Sequence, residues 1–230
     1  MIFEKLFNEI YAAVMLKYFW ECCAGDFIKA ESPDWVSPAL HFGMEVSQAL
    51  LQQDGEAQKF IELYLGKTQA EIPSAALERY GQALYFYNGR LWALTLPEEQ
   101  GWQAGYAYRT QYRFERKLEK LNSNYTAYTQ NGLYLFLHTE RPQAEEIDVL
   151  AEQMRRSQAH RKKQFQYVFL DCITQLYIVD FLEQQPCRIE VPQGARVYMQ
   201  RQAQVLRQAS AWEKGTALAT VEASLQRIGL

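Results

Sequence analysis

Apolar residues recur along this chain at two spacings, and the switches between them divide it into helices and strands. Phe3, Leu6, Phe7, Ile10 and Val14 repeat at helical spacing. They predict an amphipathic core helix over about 3–20, with Glu4, Lys5, Glu9 and Lys17 breaking any continuous apolar run. From His41 to Ala49 the period shortens to two: Phe42, Met44 and Val46 fall on one side, and Gly43, Glu45 and Ser47 on the other. Pro33 has a fixed φ and no N–H, which suits the first position of an edge strand, and Pro38 ends the segment Asp34-Trp35-Val36-Ser37. The two segments therefore predict a hairpin that turns at Ala39-Leu40.

Further along, the pattern predicts helices over 55–65, 74–80, 104–121 and 143–162, strands over 132–139, 166–171, 175–180 and 188–191, and a C-terminal helix from about 195. Asn88-Gly89, set between Tyr85-Phe86-Tyr87 and Leu91-Trp92-Ala93-Leu94, is the strongest local hairpin signal and reads as an insertion. Its Tyr85, Tyr87 and Trp92, together with Trp102, Tyr106 and Tyr108, are candidates for stacking on unpaired bases, although aromatic stripes in hairpins usually belong to a core. Neither a repeat nor a low-complexity linker interrupts the chain. The expectation is one α/β domain over 1–230, with its core at about 1–182 and a strand and helix in 186–230.

Composition narrows the function classes. Of the 230 residues, 48% are hydrophobic and 14% aromatic, enough for a substantial core. A net charge of −3 excludes a uniformly basic, nucleic-acid-coating protein, so binding to nucleic acid would rest on local patches. Two are present. Arg109, Arg113, Arg116, Lys117 and Lys120 fall along one broad helical face, and Arg155-Arg156 leads to His160-Arg161-Lys162-Lys163 with no acid among the nine positions. Such patches supply affinity for phosphate rather than sequence readout.

Cys22, Cys23, Cys172 and Cys187 have no zinc-ligand spacing. With no secretory signal in the sequence, they are expected to stay reduced in a cytoplasmic protein. No stretch reaches the length of a membrane span. His41, His138 and His160 are isolated from any nucleophile, and no glycine-rich phosphate loop occurs.

Candidate chemistry lies in the first hairpin. Glu45 sits mid-strand opposite the apolar positions, and an acid there needs a partner for its charge. A divalent cation is one, since Mg²⁺ is commonly held by one or two carboxylates with waters and substrate phosphates. Asp34 and Glu45, eleven residues apart on neighbouring strands, can supply that pair. A solvent-facing Glu45 and a turn-shaping Asp34 are the plainer alternative.

The strings Glu31-Ser32-Pro33-Asp34-Trp35 and Gly43-Met44-Glu45-Val46-Ser47, followed by Lys117-Leu118-Glu119-Lys120-Leu121-Asn122 and Asn131-Gly132-Leu133, resemble the PD-(D/E)xK nuclease superfamily over roughly residues 1–180. They are similar to its uncharacterised bacterial and phage members with E-V-S/T in place of E-x-K. The resemblance implies a restriction-endonuclease-like core, a mixed sheet flanked by helices with the metal-binding carboxylates at its centre. Asp34 and Glu45 would then bind Mg²⁺ or Mn²⁺ and act in hydrolysis of DNA, and Arg109, Arg113, Arg116 and Lys120 would hold the nucleic acid. A second copy of the chain is a further candidate partner.

A third acid from the first helix is also implied, with Glu9, Glu4 and Glu21 as candidates and Glu31 a weaker one. The departure is Ser47, which stands where the family has lysine. Either the positive group has migrated, with Lys117 as the candidate, or the site is silent and the protein is a binding or regulatory module of a defence or mobile-element system. A partner-binding protein with no nucleic-acid role is the third class, favoured by the net acidic charge.

Overall fold

In a computed structural model, residues 5–20, 26–50, 52–94, 105–124, 128–137, 142–209 and 212–227 are described. The chain divides into two compact units, one of Phe3–Ala49 with Tyr106–Leu230 and one of Leu50–Gly105.

The larger unit is α/β. Its described strands are β1 (Ile28–Lys29), β2 (Trp35–Ser37), β3 (Phe42–Gln48), β6 (Gln130–Phe136), β7 (Tyr167–Asp171), β8 (Gln175–Asp180) and β9 (Cys187–Glu190); β4 (Leu84–Tyr87) and β5 (Arg90–Leu94) belong to the smaller unit. They form one mixed sheet of seven strands in the order β1-β2-β3-β6-β7-β8-β9. The predicted first hairpin is present, with β2 antiparallel to β3 and Trp35 opposite Met44. Pro38–Leu40 makes a 3-10 turn, closed by His41 at φ 48°. Next, β3 and β6 run parallel, as do β6 and β7, and the remaining pairs are antiparallel.

Period two along each strand sorts the side chains onto two faces. Trp35, Phe42, Met44, Val46, Tyr134, Phe136, Phe169, Leu176 and Ile178 join one core, which α1 (Lys5–Phe19), α6 (Gln193–Ala209) and α7 (Leu218–Arg227) cover. Leu133, Leu135, Val168, Leu170, Tyr177 and Val179 join the other, under α4 (Gly105–Asn124) and α5 (Ala144–Gln158). The sheet is thus buried on both sides, as parallel pairing with crossover helices requires.

The first helix is apolar around most of its circumference, from Ile10 to Leu16, and is accordingly buried. The single predicted C-terminal helix resolves into α6 and α7, and β1 is a two-residue strand too short to register in a periodicity reading. α5 stops at Gln158, four residues short of the expected end, with Arg155 and Arg156 in its last turn.

The smaller unit holds α2 (Gln52–Tyr64), α3 (Ser74–Tyr80) and the hairpin β4 (Leu84–Tyr87) to β5 (Arg90–Leu94) around Phe60, Ile72 and Leu91. Asn88 and Gly89 turn it with φ of 49° and 73°, the left-handed pair that a two-residue hairpin needs. Its aromatic residues depart from the core expectation: Tyr85, Phe86, Tyr87 and Trp92 are exposed, and Tyr87 and Trp92 pack on each other at 6.0 Å.

Candidate active site

Continuing the β2–β3 register one step beyond the Trp35–Met44 pair sets Asp34 beside Glu45. Both carboxylates are buried, at 3% and 2% exposure, so Glu45 does not face solvent, while Asp34 lies in the bend that leads into β2 and its carbonyl accepts from the Ala30 amide at 2.9 Å. Asp34 Oδ2 accepts a hydrogen bond from the Val46 amide at 2.8 Å. Close packing holds this corner: a Cβ on Gly43 would lie 2.7 Å from both the Pro33 ring and the Tyr128 ring. The Ser32–Pro33 peptide is cis.

Burial drives the Asp34 pKa up to about 7, and the charges of Glu45 and Glu9 add to the shift, while the Val46 amide opposes it. Glu9 is brought here by α1. The Trp35 indole donates to the Glu9 carbonyl at 2.8 Å and ties that turn of the helix to β2. Glu9 is 3% exposed. Its Oε2 pairs with Lys29 Nζ at 2.8 Å, and its Oε1 lies 3.4 Å from Lys5 Nζ but makes no hydrogen bond. Of the three other acids considered from the sequence, Glu4 and Glu21 fall outside the described residues, and Glu31 is exposed. Lys5 also reaches within 3.7 Å of Asp34 Oδ1. Burial lowers the Lys5 pKa, but Asp34 and Glu9 outweigh it and leave the ammonium raised.

The opposite flank is built by α4. Phe114, Leu118 and Leu121 repeat at helical spacing and seal that helix to the sheet. Lys117 and Lys120 lie on the turn beside this apolar row. Lys117 Nζ sits 2.5 Å from Glu45 Oε1, and Lys120 Nζ 3.1 Å from the same oxygen. Lys117 is only 15% exposed along its side chain, against 41% for Lys120. A lysine 72 positions away therefore stands at Glu45, whereas Ser47, on the same strand, carries no charge.

The predicted basic face of α4 is divided. Lys117 and Lys120 turn inward to Glu45, Arg116 pairs outward with Glu119 at 3.0 Å, and Arg109 and Arg113 are half-buried. In the second run, Arg155 and Arg156 both bind Glu152, at 2.7 and 2.8 Å. Among the candidate stacking residues, Tyr106 donates to Glu146 at 2.5 Å, Tyr108 is exposed, and Trp102 lies outside the described residues.

Sequence reasoning missed two features. A cleft of about 790 Å³ opens beside Glu9 and Asp34, walled in part by Trp212 and Lys214 from the segment between α6 and α7. Nothing in the spacing of Trp212 signals this, because it approaches Trp35 only through the fold, ring edge to face at 5.7 Å. The second is a buried network in which Arg196 donates to Asp171 Oδ1 at 2.8 Å and to the Tyr11 hydroxyl at 2.7 Å, while Tyr134 donates to Asp171 Oδ2 at 2.8 Å. Burial raises the Asp171 pKa, with Arg196 and Tyr134 opposing.

Among the described residues, no helix is long and apolar enough to cross a membrane. No group of three or more His, Cys, Asp or Glu side chains is arranged among them to hold a metal ion. No protein-family model, curated protein or solved structure shows significant similarity to this chain.

Proposed function

We propose that the chain is a metal-dependent nuclease with a restriction-endonuclease-like core that hydrolyses phosphodiester bonds of DNA. The observation that carries this reading is Lys117 Nζ at 2.5 Å from Glu45 Oε1. It puts a positive group at the carboxylate pair that the departure at Ser47 left without one. The order of elements agrees: α1, then a hairpin bearing Asp34 and Glu45, then α4 leading into a strand parallel to β3.

The donor set fits a hard cation. Asp34 and Glu45 offer carboxylate oxygens only, and two carboxylates are a usual protein share for Mg²⁺ or Mn²⁺. Asp34 is held near neutrality by burial and two acidic neighbours, which is the state that a cation would relieve. When bound, such an ion supplies an acidified water and positive charge at the phosphate oxygens. Lys117 adds fixed charge beside it from a largely dry position, where electrostatic stabilisation of the developing oxyanion is strongest. Glu9, buried with one oxygen lacking a hydrogen bond, orients Lys29 and raises the proton affinity of Asp34.

Isothermal titration of Mn²⁺ into the wild type and the Asp34→Ala/Glu45→Ala double variant, paired with plasmid nicking, tests this. Binding and nicking that both disappear in the variant are expected. Lys117→Ala should keep metal binding and lose about a hundredfold or more in nicking. Metal binding without nicking in the wild type would instead mark a silent binding module, and no binding would remove the reading.

A further inference from the structure

The cleft beside the carboxylates carries a statement about the substrate. Its walls include Lys5, Glu9, Lys29, Asp34, Trp212 and Lys214, and its volume of about 790 Å³ lies within the range that encloses a single small ligand. We propose that it takes one unpaired nucleotide of a strand, with the phosphate between Lys5 and Lys214 and the base on Trp212. This rests on the nuclease reading and narrows it to single-stranded or frayed substrates.

Three observations support it. First, Trp212 is a fixed ring: its Nε1 donates to the Leu206 carbonyl at 2.9 Å and it meets the Trp35 ring in a T-shaped contact at 5.7 Å. An anchored aromatic wall is a stacking platform that accepts any base. Second, the lysines have distinct duties. Lys29 spends its ammonium on Glu9 Oε2 at 2.8 Å and on the Ala30 and Asp34 carbonyls at 3.0 and 3.1 Å, so it shapes the wall. Lys5, which lies 3.4 Å from Glu9 and 3.7 Å from Asp34 yet keeps 81% of its side chain exposed, and the exposed Lys214 also line the cleft, in reach of an incoming phosphate.

Third, tracking an intact duplex calls for an open row of cations along its backbone, and the cations on α4 and in the last turn of α5 are largely paired within the protein, although Arg161 and Lys162 beyond α5 are exposed. Lys117 and Lys120 are on Glu45, Arg116 is on Glu119, and Arg155 and Arg156 are on Glu152.

The cleft also sets a condition on binding. Its lysines are outnumbered by Glu9, Glu31, Asp34 and Glu213. A phosphate entering alone meets net negative surroundings, whereas a divalent cation on the carboxylates reverses that balance. Nucleotide binding is therefore divalent-dependent.

Fluorescence anisotropy with a short labelled oligothymidylate and with a blunt duplex, each in Ca²⁺ and in chelator, tests the proposal. The single strand is expected to bind at least tenfold tighter than the duplex, and only with the cation. Trp212→Ala should weaken single-strand binding by about ten- to a hundredfold, the scale of one base–aromatic stack, and Trp212→Phe should retain most of it. Because Trp212→Ala also loosens packing on Trp35, the exposed Lys214→Glu serves as the second variant. It should weaken binding several-fold at an unchanged thermal midpoint.

Equal binding of duplex, or single-strand binding indifferent to both Trp212 and Lys214, overturns the proposal. If plasmid is nicked with no single-strand preference, the cleft assignment fails and the nuclease stands. If single strands bind through Trp212 but nothing is cut, the cleft assignment stands and the nuclease fails.

Discussion

Burial and two acidic neighbours hold the Asp34 carboxyl at a pKa of about 7, roughly three units above its usual value near 3.8. A folded-state pKa above the unfolded one means that the native protein binds the extra proton between about pH 4 and 7, so stability falls as pH rises through that window. Asp34→Asn keeps an acceptor for the Val46 amide and removes the ionisation. Its unfolding free energy, measured in urea, should exceed that of the wild type at pH 8 by on the order of 3 kcal/mol or less, and the two should converge near pH 4. A wild type that is the more stable at pH 8 would mean that Asp34 is a structural acid rather than one kept for chemistry.

Gly43 is a second residue-scale constraint. A methyl group there meets Pro33 and Tyr128 at 2.7 Å. Gly43→Ala should cost about 1–3 kcal/mol in denaturant unfolding and should weaken Mn²⁺ binding, because the Pro33-Asp34 corner has to move.

Between elements, one joint within the apolar packing is made by a buried charge pair. α6 is fastened to the end of β7 by Arg196 on Asp171, and to α1 by the same guanidinium on Tyr11. Asp171 is 3% exposed. Removing its cation leaves a buried carboxylate without its ion partner, so Arg196→Met should lose about 3–5 kcal/mol, measured by urea unfolding. Arg196→Met/Asp171→Asn should recover a large part of that loss; no recovery would assign the cost to packing of the arginine stem.

The same contrast governs what could be read at this scale. Strand and helix positions in β3, β7, β8, α3 and the Asn88-Gly89 hairpin follow from period and turn chemistry, both of which are local. The exposure of Tyr85, Tyr87 and Trp92 does not, since alternation marks two faces of a hairpin without saying which one the rest of the unit covers.

For the molecule as a whole, metal binding and proton release at Asp34 are linked. Mn²⁺ should raise the wild-type thermal midpoint more at pH 8 than at pH 6, since at the lower pH the ion has to displace a proton. The Asp34→Ala/Glu45→Ala variant should show no such shift. A pH-independent shift in the wild type would place the ion elsewhere.

Much of the architecture was legible beforehand. Element order, the first hairpin, the pairing of two acids across it and the α/β class rest on periodicity and turn chemistry, which are read over short windows of the chain. Three matters were settled only by the fold: that Asp34 and Glu45 are buried together with Glu9, that Lys117 rather than a residue on β3 carries the charge to Glu45, and that Trp212 walls a cleft beside them. All three need segments far apart in the chain to meet, and for the first two the physical reason is electrostatic. The state of a charged group depends on which other charges share its low-dielectric surroundings, and those arrive from distant parts of the chain.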